Sequence, residues 1–256
     1  MSDKLDLLKR LEHSLKAVGA QSRDKVSTRG FDVFIDPDSD AHHLSFAVPS
    51  GLTGGWAEAV EAMKTVFAER GRRARLEYFH ELHPRLAEAL ESAGFSLDTR
   101  APVMTLVKED LAESVTTRGV YLELTADHSD RLGDYLRCQN LAYGGAGDGG
   151  ALVWLKTMSK GLATGDLMVA GLEQEGRFVS GASVQIGGGV GELAGVWTLP
   201  SEQKRGLAYA LCQRLLSDYF AEGYDACWLS AAEGALRLYE KLGFSRVGTQ
   251  YNLSGG

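Results

Sequence analysis

Three kinds of feature are scarce or missing in this 256-residue sequence. It has three cysteines, Cys138, Cys212 and Cys227, whose odd number and wide spacing predict buried thiols and exclude a disulfide framework or a cysteine metal site. Basic residues number 27 against 34 acidic ones, a net charge of −7, which excludes the basic surface that a nucleic-acid-binding protein needs. The first residues alternate charge with leucine, which predicts neither a signal peptide nor a membrane span. These absences predict a cytoplasmic protein without nucleic-acid or membrane partners.

The remaining composition is that of a soluble globular protein with enough apolar material for a core. Hydrophobic residues make up 44% of the chain and charged residues 24%. The length allows one large domain or two of ordinary size. Leucines at helical spacing open the chain, and Gly19 is predicted to end that first helix.

One stretch, residues 192–208, carries the strongest functional signal. A strand-like run ends at Thr198, a turn containing proline follows, and an amphipathic helix opens with the pattern Gln203-x-x-Gly206-x-Ala208. The first turn of a helix has unpaired N–H groups and the positive end of the helix dipole. Small residues there, beside Lys204 and Arg205, predict a site for an anion.

This stretch resembles the acyl-CoA-binding motif of the GNAT superfamily of N-acetyltransferases. A second segment, Ala235-Leu236-Arg237-Leu238-Tyr239-Glu240-Lys241-Leu242-Gly243-Phe244, is similar to the family's closing helix and follows after the expected helix and strand. The resemblance implies that loop amides receive the diphosphate of acetyl-CoA and that the preceding strand pairs with its pantetheine arm. The implied cofactor-binding residues are Val196, Trp197, Thr198, Gln203, Lys204, Arg205, Gly206, Leu207 and Ala208.

The resemblance also suggests two catalytic residues. Glu192 lies where one branch of the family has its general base, and burial would raise the pKa of such a carboxylate toward neutrality. A solvated glutamate at a strand start is the alternative. Tyr239 lies where the family has a tyrosine that donates a hydrogen bond or proton to the CoA sulfur, and a core tyrosine is the alternative. The family's frequent asparagine is replaced by Ala232, so one cofactor hydrogen bond is missing.

The N-terminal half repeats the pattern of the C-terminal half. Gly94 falls on Gly243 at an offset of 149 residues, and the order strand, loop, helix, strand, helix, strand recurs without a gap. At this offset Gly54 takes the position of Gln203 and Ala57 that of Gly206. The N-terminal half therefore resembles a truncated GNAT-like unit that has lost the motif, although a chance alignment of similar repeats is the alternative.

These observations predict the fold class and the domains. The fold is expected to be of the α/β (α+β) class, with a mixed sheet of parallel and antiparallel strands. It is expected to be built from two acyl-CoA N-acyltransferase-like (GNAT) units. Residues 1–115 form the degenerate unit and residues 116–256 the complete one, with a polar linker at residues 108–119.

Two loops remain open to more than one interpretation. The acidic turn at residues 36–40 lacks the spacing of a calcium-binding EF-hand, so a hairpin turn is favoured. The glycine run at residues 144–150 lacks the context of a dinucleotide fingerprint and is either a lid over the acceptor or a plain connector.

The predicted function is acetyl-CoA-dependent N-acetyl transfer to a primary amine of a small molecule or peptide, directly within a ternary complex and without a metal. A non-catalytic CoA-binding or scaffold protein is the alternative, because a fold does not guarantee an activity. Another acyl donor is also compatible with the sequence. The protein is expected to be a monomer or a homodimer.

Overall fold

The computed structural model describes residues 2–51, 54–116, 118–145 and 153–255. The helices are α1 (Ser2–Ser22), α2 (Trp56–Ala68), α3 (Leu86–Ser92), α4 (Ser129–Ala142), α5 (Val153–Thr164), α6 (Leu207–Ala221) and α7 (Leu236–Leu242). The strands are β1 (Asp24–Thr28), β2 (Phe31–Ile35), β3 (Phe46–Pro49), β4 (Ala74–Phe79), β5 (Ser96–Val107), β6 (Val120–Leu124), β7 (Leu167–Gln174), β8 (Arg177–Gly187), β9 (Val190–Thr198), β10 (Ala226–Ser230) and β11 (Ser245–Gly255). No helix among these residues is both long and apolar enough to cross a membrane.

The chain divides into two compact units that are not contiguous in sequence. The first contains residues 1–104, 230–233 and 246–256, and the second contains residues 105–229 and 234–245. The C-terminal strand β11 therefore belongs mainly to the first unit. The domain boundary after residue 115 stays a prediction.

In the first unit, the strands lie in the order β1-β2-β3-β4-β11, with β5 next to β11. The strands β3 and β4 are parallel, whereas β11 pairs with β4 in the antiparallel sense from Gln250 opposite Phe79 to Gly255 opposite Ala74. The apolar face of α2 packs on this sheet through Val60, Met63 and Phe67, which are buried.

The first helix does not end at Gly19, so that prediction is wrong. α1 continues to Ser22. A Cβ atom at Gly19 would lie 2.9 Å from the ring of Phe34. The glycine therefore lets α1 pack closely against β2. Gly19 is needed for this contact and does not mark the end of the helix.

In the second unit, the strands lie in the order β6-β7-β8-β9-β10. The first four are antiparallel neighbours, and β9 is parallel to β10. Both predicted hairpins form. Consecutive residues with positive φ, Glu175 and Gly176 in one turn and Gly188 and Gly189 in the other, give each turn the backbone that favours tight hairpins.

A tyrosine fixes the strands β9 and β10 of the second unit to the helix α6. The hydroxyl of Tyr219 on α6 donates to the Ala226 carbonyl at 2.8 Å and accepts from the Gly191 N–H at 2.7 Å. A Cβ atom at Gly191 would lie 2.7 Å from the Tyr219 ring, so the glycine permits this contact. The helix ends, as predicted, just before Gly223, which has a φ of +94°.

The acidic turn at residues 36–40 lies within the described residues, whereas most of the glycine run at residues 144–150 does not. In the acidic turn, the Asp36 carboxylate accepts from the N–H groups of Asp38 at 3.0 Å and Ser39 at 2.8 Å, so the expected turn forms. The glycine run lies largely outside the described residues. Gly144 and Gly145 close the end of α4 through hydrogen bonds to Leu141 and Asn140.

The segment predicted to be a linker is anchored to the second unit. The Ala112 N–H donates to the Leu242 carbonyl at 3.1 Å, and the Ala112 carbonyl accepts from Gln213 Nε2 at 3.2 Å. These contacts place residues around Ala112 against α6 and α7.

The two halves repeat the same element order, but not at one constant spacing. The helices α2 and α6 begin at Trp56 and Leu207, an offset of 151, whereas β5 and β11 begin at Ser96 and Ser245, an offset of 149. The predicted gapless alignment is therefore wrong by two residues at the loop before the first helix of each repeat. Gly55, and not Ala57, corresponds to Gly206, because each glycine immediately precedes its helix with positive φ.

Candidate functional site

The strand β9 bends in its second half. Ala194 lies opposite Ser183 on β8, but Trp197 lies opposite Gly181, so β9 contains one extra residue over this interval. Gly195 has a φ of +60°, which identifies the bulge. The extra residue turns the side chain of Trp197 toward Tyr135 on α4, with the ring centroids 5.2 Å apart.

The bulge lies where β9 has separated from its parallel neighbour. In the part of the chain that the structure describes, β9 pairs with β10 at Gly191 with Cys227 and at Glu192 with Trp228 and nowhere else. Beyond this point, no pairing with β10 is found for residues 193–198 within the described chain. Backbone groups of Val196 and Thr198 therefore face an opening between two strands rather than a completed ladder.

The loop after β9 is held by its own contacts. The Leu199 N–H donates to the Val179 carbonyl at 2.9 Å, and the Glu202 N–H donates to the Leu199 carbonyl at 2.8 Å. Gln203 Nε2 donates to the Thr198 carbonyl at 3.3 Å, and Arg205 pairs with Glu202 at 2.6 Å. The head of the loop is therefore positioned by contacts within the chain.

The beginning of α6 is open. Gly206 precedes the helix with a φ of +78°. Among the described residues, no side chain caps the helix, and no atom lies within 4 Å of where a Cβ atom of Gly206 would be. Lys204 also has positive φ, at 62°, and its side chain is exposed. Because the first N–H groups of a helix lack partners within it, this end offers several convergent donors to an anion. Leu207 is buried, so it contributes through its N–H group alone.

Tyr239 lies on α7 with 8% of its surface exposed. Its ring packs edge-on against Phe244 at 6.0 Å, and no hydrogen-bond partner for its hydroxyl is found in the described part of the chain. Burial raises the pKa of this phenol well above its ordinary value, and Cys212 and Tyr143 raise it further. Tyr239 is therefore a neutral hydrogen-bond donor at physiological pH.

Glu192 is half-buried on β9, directly opposite Gln185 of β8. Side chains alternate along a strand, and the neighbouring Gly191 faces Tyr219 of α6. Glu192 therefore points to the opposite face of the sheet, the face on which Trp197 meets α4. Its charge is close enough to Cys227 to raise the pKa of that buried thiol, although desolvation is the larger cause.

Comparison with known proteins identifies the arrangement of strand, open loop and helix. Residues 149–244 match the family model described as the acetyltransferase (GNAT) family. Over these residues the chain is therefore similar to a GNAT acetyltransferase domain. No curated protein matches the sequence.

Solved structures extend the likeness to nearly the whole chain. A GCN5-related N-acetyltransferase from Kribbella flavida has a TM-score of 0.79 at 22% identity, covering 97% of this chain and 95% of its own. A conserved protein from Staphylococcus epidermidis has a TM-score of 0.68 at 15% identity, covering 91% and 94%. A GCN5-related N-acetyltransferase from Sphaerobacter thermophilus has a TM-score of 0.66 at 13% identity, covering 97% and 90%. At these identities the likeness is one of fold, and it confirms the predicted fold class.

Sequence reasoning missed Tyr143, which lies beside the second half of β9. It follows the last residue of α4, has 61% of its surface exposed, and places its hydroxyl 3.5 Å from the Val196 carbonyl. Gln139, one turn earlier, has its Nε2 atom 3.2 Å from where a Cβ of Gly195 would be. The GNAT motifs do not include α4, so they could not identify Tyr143. The sequence feature that could have identified it is an aromatic residue directly before the glycine run.

The corresponding loop of the first unit is partly filled. Gly55 precedes α2 as Gly206 precedes α6, but Arg29 Nη2 lies 3.2 Å, and Glu58 Oε2 3.5 Å, from the position of a Cβ atom at Gly55. These side chains take space that is open in front of α6. Among the described residues, the open space in front of α6 therefore has no counterpart in front of α2.

Among the described residues, no group of three or more His, Cys, Asp or Glu is arranged to hold a metal ion.

Proposed function

We propose that this protein transfers the acetyl group of acetyl-CoA to a primary amine of a small molecule or peptide, by direct transfer in a ternary complex. The observation that carries the proposal is the open N-terminus of α6 beside the half of β9 that has no pairing with β10 among the described residues. Acetyl-CoA supplies an activated acetyl thioester. The protein binds this donor, receives the proton of the amine and donates a hydrogen bond to the departing sulfur.

The donor site uses main-chain groups. The N–H groups around Gly206 and Ala208 suit a diphosphate, since they converge on open space and carry the positive end of the helix dipole. Lys204 adds a cation beside them. The edge of β9 at Val196 and Thr198, which does not pair with β10 among the described residues, suits an amide-containing arm that adds to the sheet as a neighbouring strand would.

Two side chains act on protons. Tyr239 donates a hydrogen bond to the sulfur that leaves, because its raised pKa keeps the phenol protonated. Glu192 accepts the proton of the attacking amine, directly or through water, from the face of the sheet that also carries Gln185. A carboxylate on this face also favours capture of a cationic amine, in keeping with the net charge of −7.

A thiol-release assay tests the proposal. Acetyl-CoA is incubated with the protein and a panel of amines, amino acids, aminoglycosides and peptides, and free coenzyme A is measured together with acetylated product. We expect release that depends on one class of amine. Binding of coenzyme A by calorimetry without release from any amine would favour the non-catalytic scaffold, and no heat at all would remove both functions.

Glu192→Gln tests the base. We expect turnover to fall about 10²-fold, because general base catalysis contributes about 10²–10⁴-fold, while affinity for coenzyme A is kept. Glu123→Gln is the matched control, since it removes the same charge from an exposed position on β6 and should leave turnover unchanged. Equal turnover of both variants would exclude Glu192 from the reaction.

A further inference from the structure

Side chains contact both carbonyl groups on the edge of β9 that faces away from β8. The Leu199 N–H donates to a carbonyl of β8, and backbone groups alternate between the two edges of a strand, so those of Val196 and Thr198 face the other edge. There the Tyr143 hydroxyl donates to the Val196 carbonyl at 3.5 Å, and Gln203 Nε2 donates to the Thr198 carbonyl at 3.3 Å. Two side chains therefore make the contacts that N–H groups of a neighbouring strand would make.

The function proposed above needs the same two carbonyl groups. An extended arm adds to the edge of a sheet by donating its amide N–H groups to carbonyl groups of the edge strand. In acetyl-CoA the pantetheine arm carries these amides, whereas the diphosphate is assigned to the N-terminus of α6. A side chain that occupies the Val196 carbonyl therefore competes with the arm and not with the diphosphate.

The contact of Tyr143 is one that a ligand can replace. Its length of 3.5 Å is at the long end for a hydrogen bond, and the residue is exposed directly after α4, so its release leaves no buried cavity. Gln139, one turn earlier, donates a hydrogen bond to the same hydroxyl. The phenol keeps this partner when it leaves the Val196 carbonyl, so the arm displaces one of its two hydrogen bonds.

Tyr143 can also be tested separately from the diphosphate site. Gln203 belongs to the loop before α6, so its replacement would change the strand edge and the loop together. Tyr143 follows α4 and contacts the strand edge alone among these two features. A change at Tyr143 therefore reports on the strand edge.

We propose that Tyr143 makes an autoinhibitory contact in the donor site: its hydroxyl occupies the Val196 carbonyl in the free protein and is displaced when the pantetheine arm pairs with β9. This inference rests on the proposed function, because it requires the arm to lie on β9. Removing the hydroxyl then strengthens binding of coenzyme A. A tyrosine that only supported the structure, or that contacted the donor, would weaken binding when its hydroxyl was removed.

Calorimetry of the full chain compares Tyr143→Phe with the unchanged protein. We expect coenzyme A to bind about threefold more tightly to Tyr143→Phe, since a long and exposed hydrogen bond contributes little to the free energy. Coenzyme A without its pantetheine arm, 3′-phospho-ADP, should bind equally to both proteins. Unchanged or weaker binding of coenzyme A would overturn the inference and leave the proposed function intact. An equal gain for both ligands would also overturn it, because the effect would then lie at the diphosphate site.

Tyr121→Phe is the matched control. Tyr121 on β6 donates to the Asp218 carboxylate at 2.9 Å, near the C-terminal end of α6, so this variant removes a phenol hydroxyl and its hydrogen bond away from the proposed donor site. Its affinity for coenzyme A should be unchanged, and a gain equal to that of Tyr143→Phe would overturn the specific role of Tyr143. No heat with coenzyme A in any of the three proteins would overturn the proposed function and this inference with it. Circular dichroism confirms that each variant is folded.

Discussion

Tyr219 and Tyr239 are both buried in the second unit, yet their hydroxyl groups have different surroundings. The hydroxyl of Tyr219 donates one hydrogen bond and accepts another, both to backbone groups of the sheet. The hydroxyl of Tyr239 has no partner within the described residues, although burial of the ring raises its pKa. A buried hydroxyl with two partners is structural, whereas a buried donor without one is available to a ligand.

Tyr239→Phe should therefore lower turnover, whereas Tyr219→Phe should lower stability. We expect Tyr239→Phe to lower turnover about 10²-fold with unchanged affinity for coenzyme A, since the donor acts on the departing thiolate. Tyr219→Phe should lower the free energy of unfolding by about 1–3 kcal/mol, because it leaves the Gly191 N–H buried and unpaired. Thiol release, calorimetry and urea unfolding of both variants measure the contrast. Unchanged turnover of Tyr239→Phe would remove this residue from the mechanism.

At the scale of the element, one glycine with positive φ precedes α6 and another follows it. Gly206 and Gly223 have φ values of +78° and +94°, and a Cβ atom at either position would meet nothing within 4 Å. A substitution to alanine therefore has the same conformational penalty at both ends. The two ends differ only in function, because one has donors that face an anion and the other has carbonyl groups.

Gly206→Ala and Gly223→Ala make a matched pair. Each should lower the free energy of unfolding by about 1–2 kcal/mol, the penalty for an L-residue in the left-handed region. Only Gly206→Ala should also weaken binding of coenzyme A, by about tenfold, which corresponds to about 1.4 kcal/mol for a displaced donor. Calorimetry with coenzyme A distinguishes the two variants. A similar loss of affinity in Gly223→Ala would show that stability, and not the helix N-terminus, governs binding.

The sequence could predict the structural features that depend on local backbone conformation, but not those that depend on distant neighbours. The hairpins at Gly176 and Gly189 and the end of α6 were predictable, because each depends on a local backbone conformation that favours glycine. The role of Gly19 was not, since a packing glycine inside a helix is recognised only when its neighbour, Phe34, is known. Tyr143 was missed for a related reason, because its contact with Val196 joins residues 53 positions apart. Long-range contacts of this kind are not encoded in any periodicity.

At the scale of the whole molecule, the C-terminal strand is separated in sequence from the unit in which it lies. β11 is the neighbour of both β4 and β5, and its Leu253 is buried in the first unit's core. An isolated fragment of residues 1–115 lacks this strand and exposes the paired edge of β4. The first unit, defined by compactness in space, therefore includes a C-terminal strand that a division of the sequence after residue 115 leaves out.

The fragment of residues 1–115 should consequently fail to fold alone. We expect little cooperative unfolding in urea for this fragment. The same fragment with residues 245–256 joined to its end by a flexible linker should recover cooperative unfolding, since the strand restores the ladder to β4. Far-UV circular dichroism and urea titration compare the two. Cooperative unfolding of residues 1–115 alone would contradict the division into units and support a boundary near residue 115.

Buried ionisable groups also make the stability of the whole chain sensitive to alkaline pH. Burial raises the pKa of the Cys212 thiol from 9.0 to about 12, and it raises that of the Cys227 thiol and of several buried tyrosines. In the unfolded chain these groups lose their protons at their ordinary pKa values. Above that pH the unfolded state binds fewer protons than the folded state, so stability falls as pH rises. The contribution of Cys212 is fully present below pH 9 and is lost between pH 9 and about pH 12.

Cys212→Ala tests this linkage. Above the ordinary thiol pKa, each such group should reduce the free energy of unfolding by about 1.4 kcal/mol per pH unit. We therefore expect the loss of stability between pH 8 and pH 10, measured by urea unfolding, to be smaller in Cys212→Ala by about 1 kcal/mol. Leu216→Val, at another fully buried position of α6, should lose stability at both pH values without changing their difference. If Cys212→Ala kept the full pH dependence, Cys212 would not contribute to the alkaline loss, which would then come from Cys227 and the buried tyrosines.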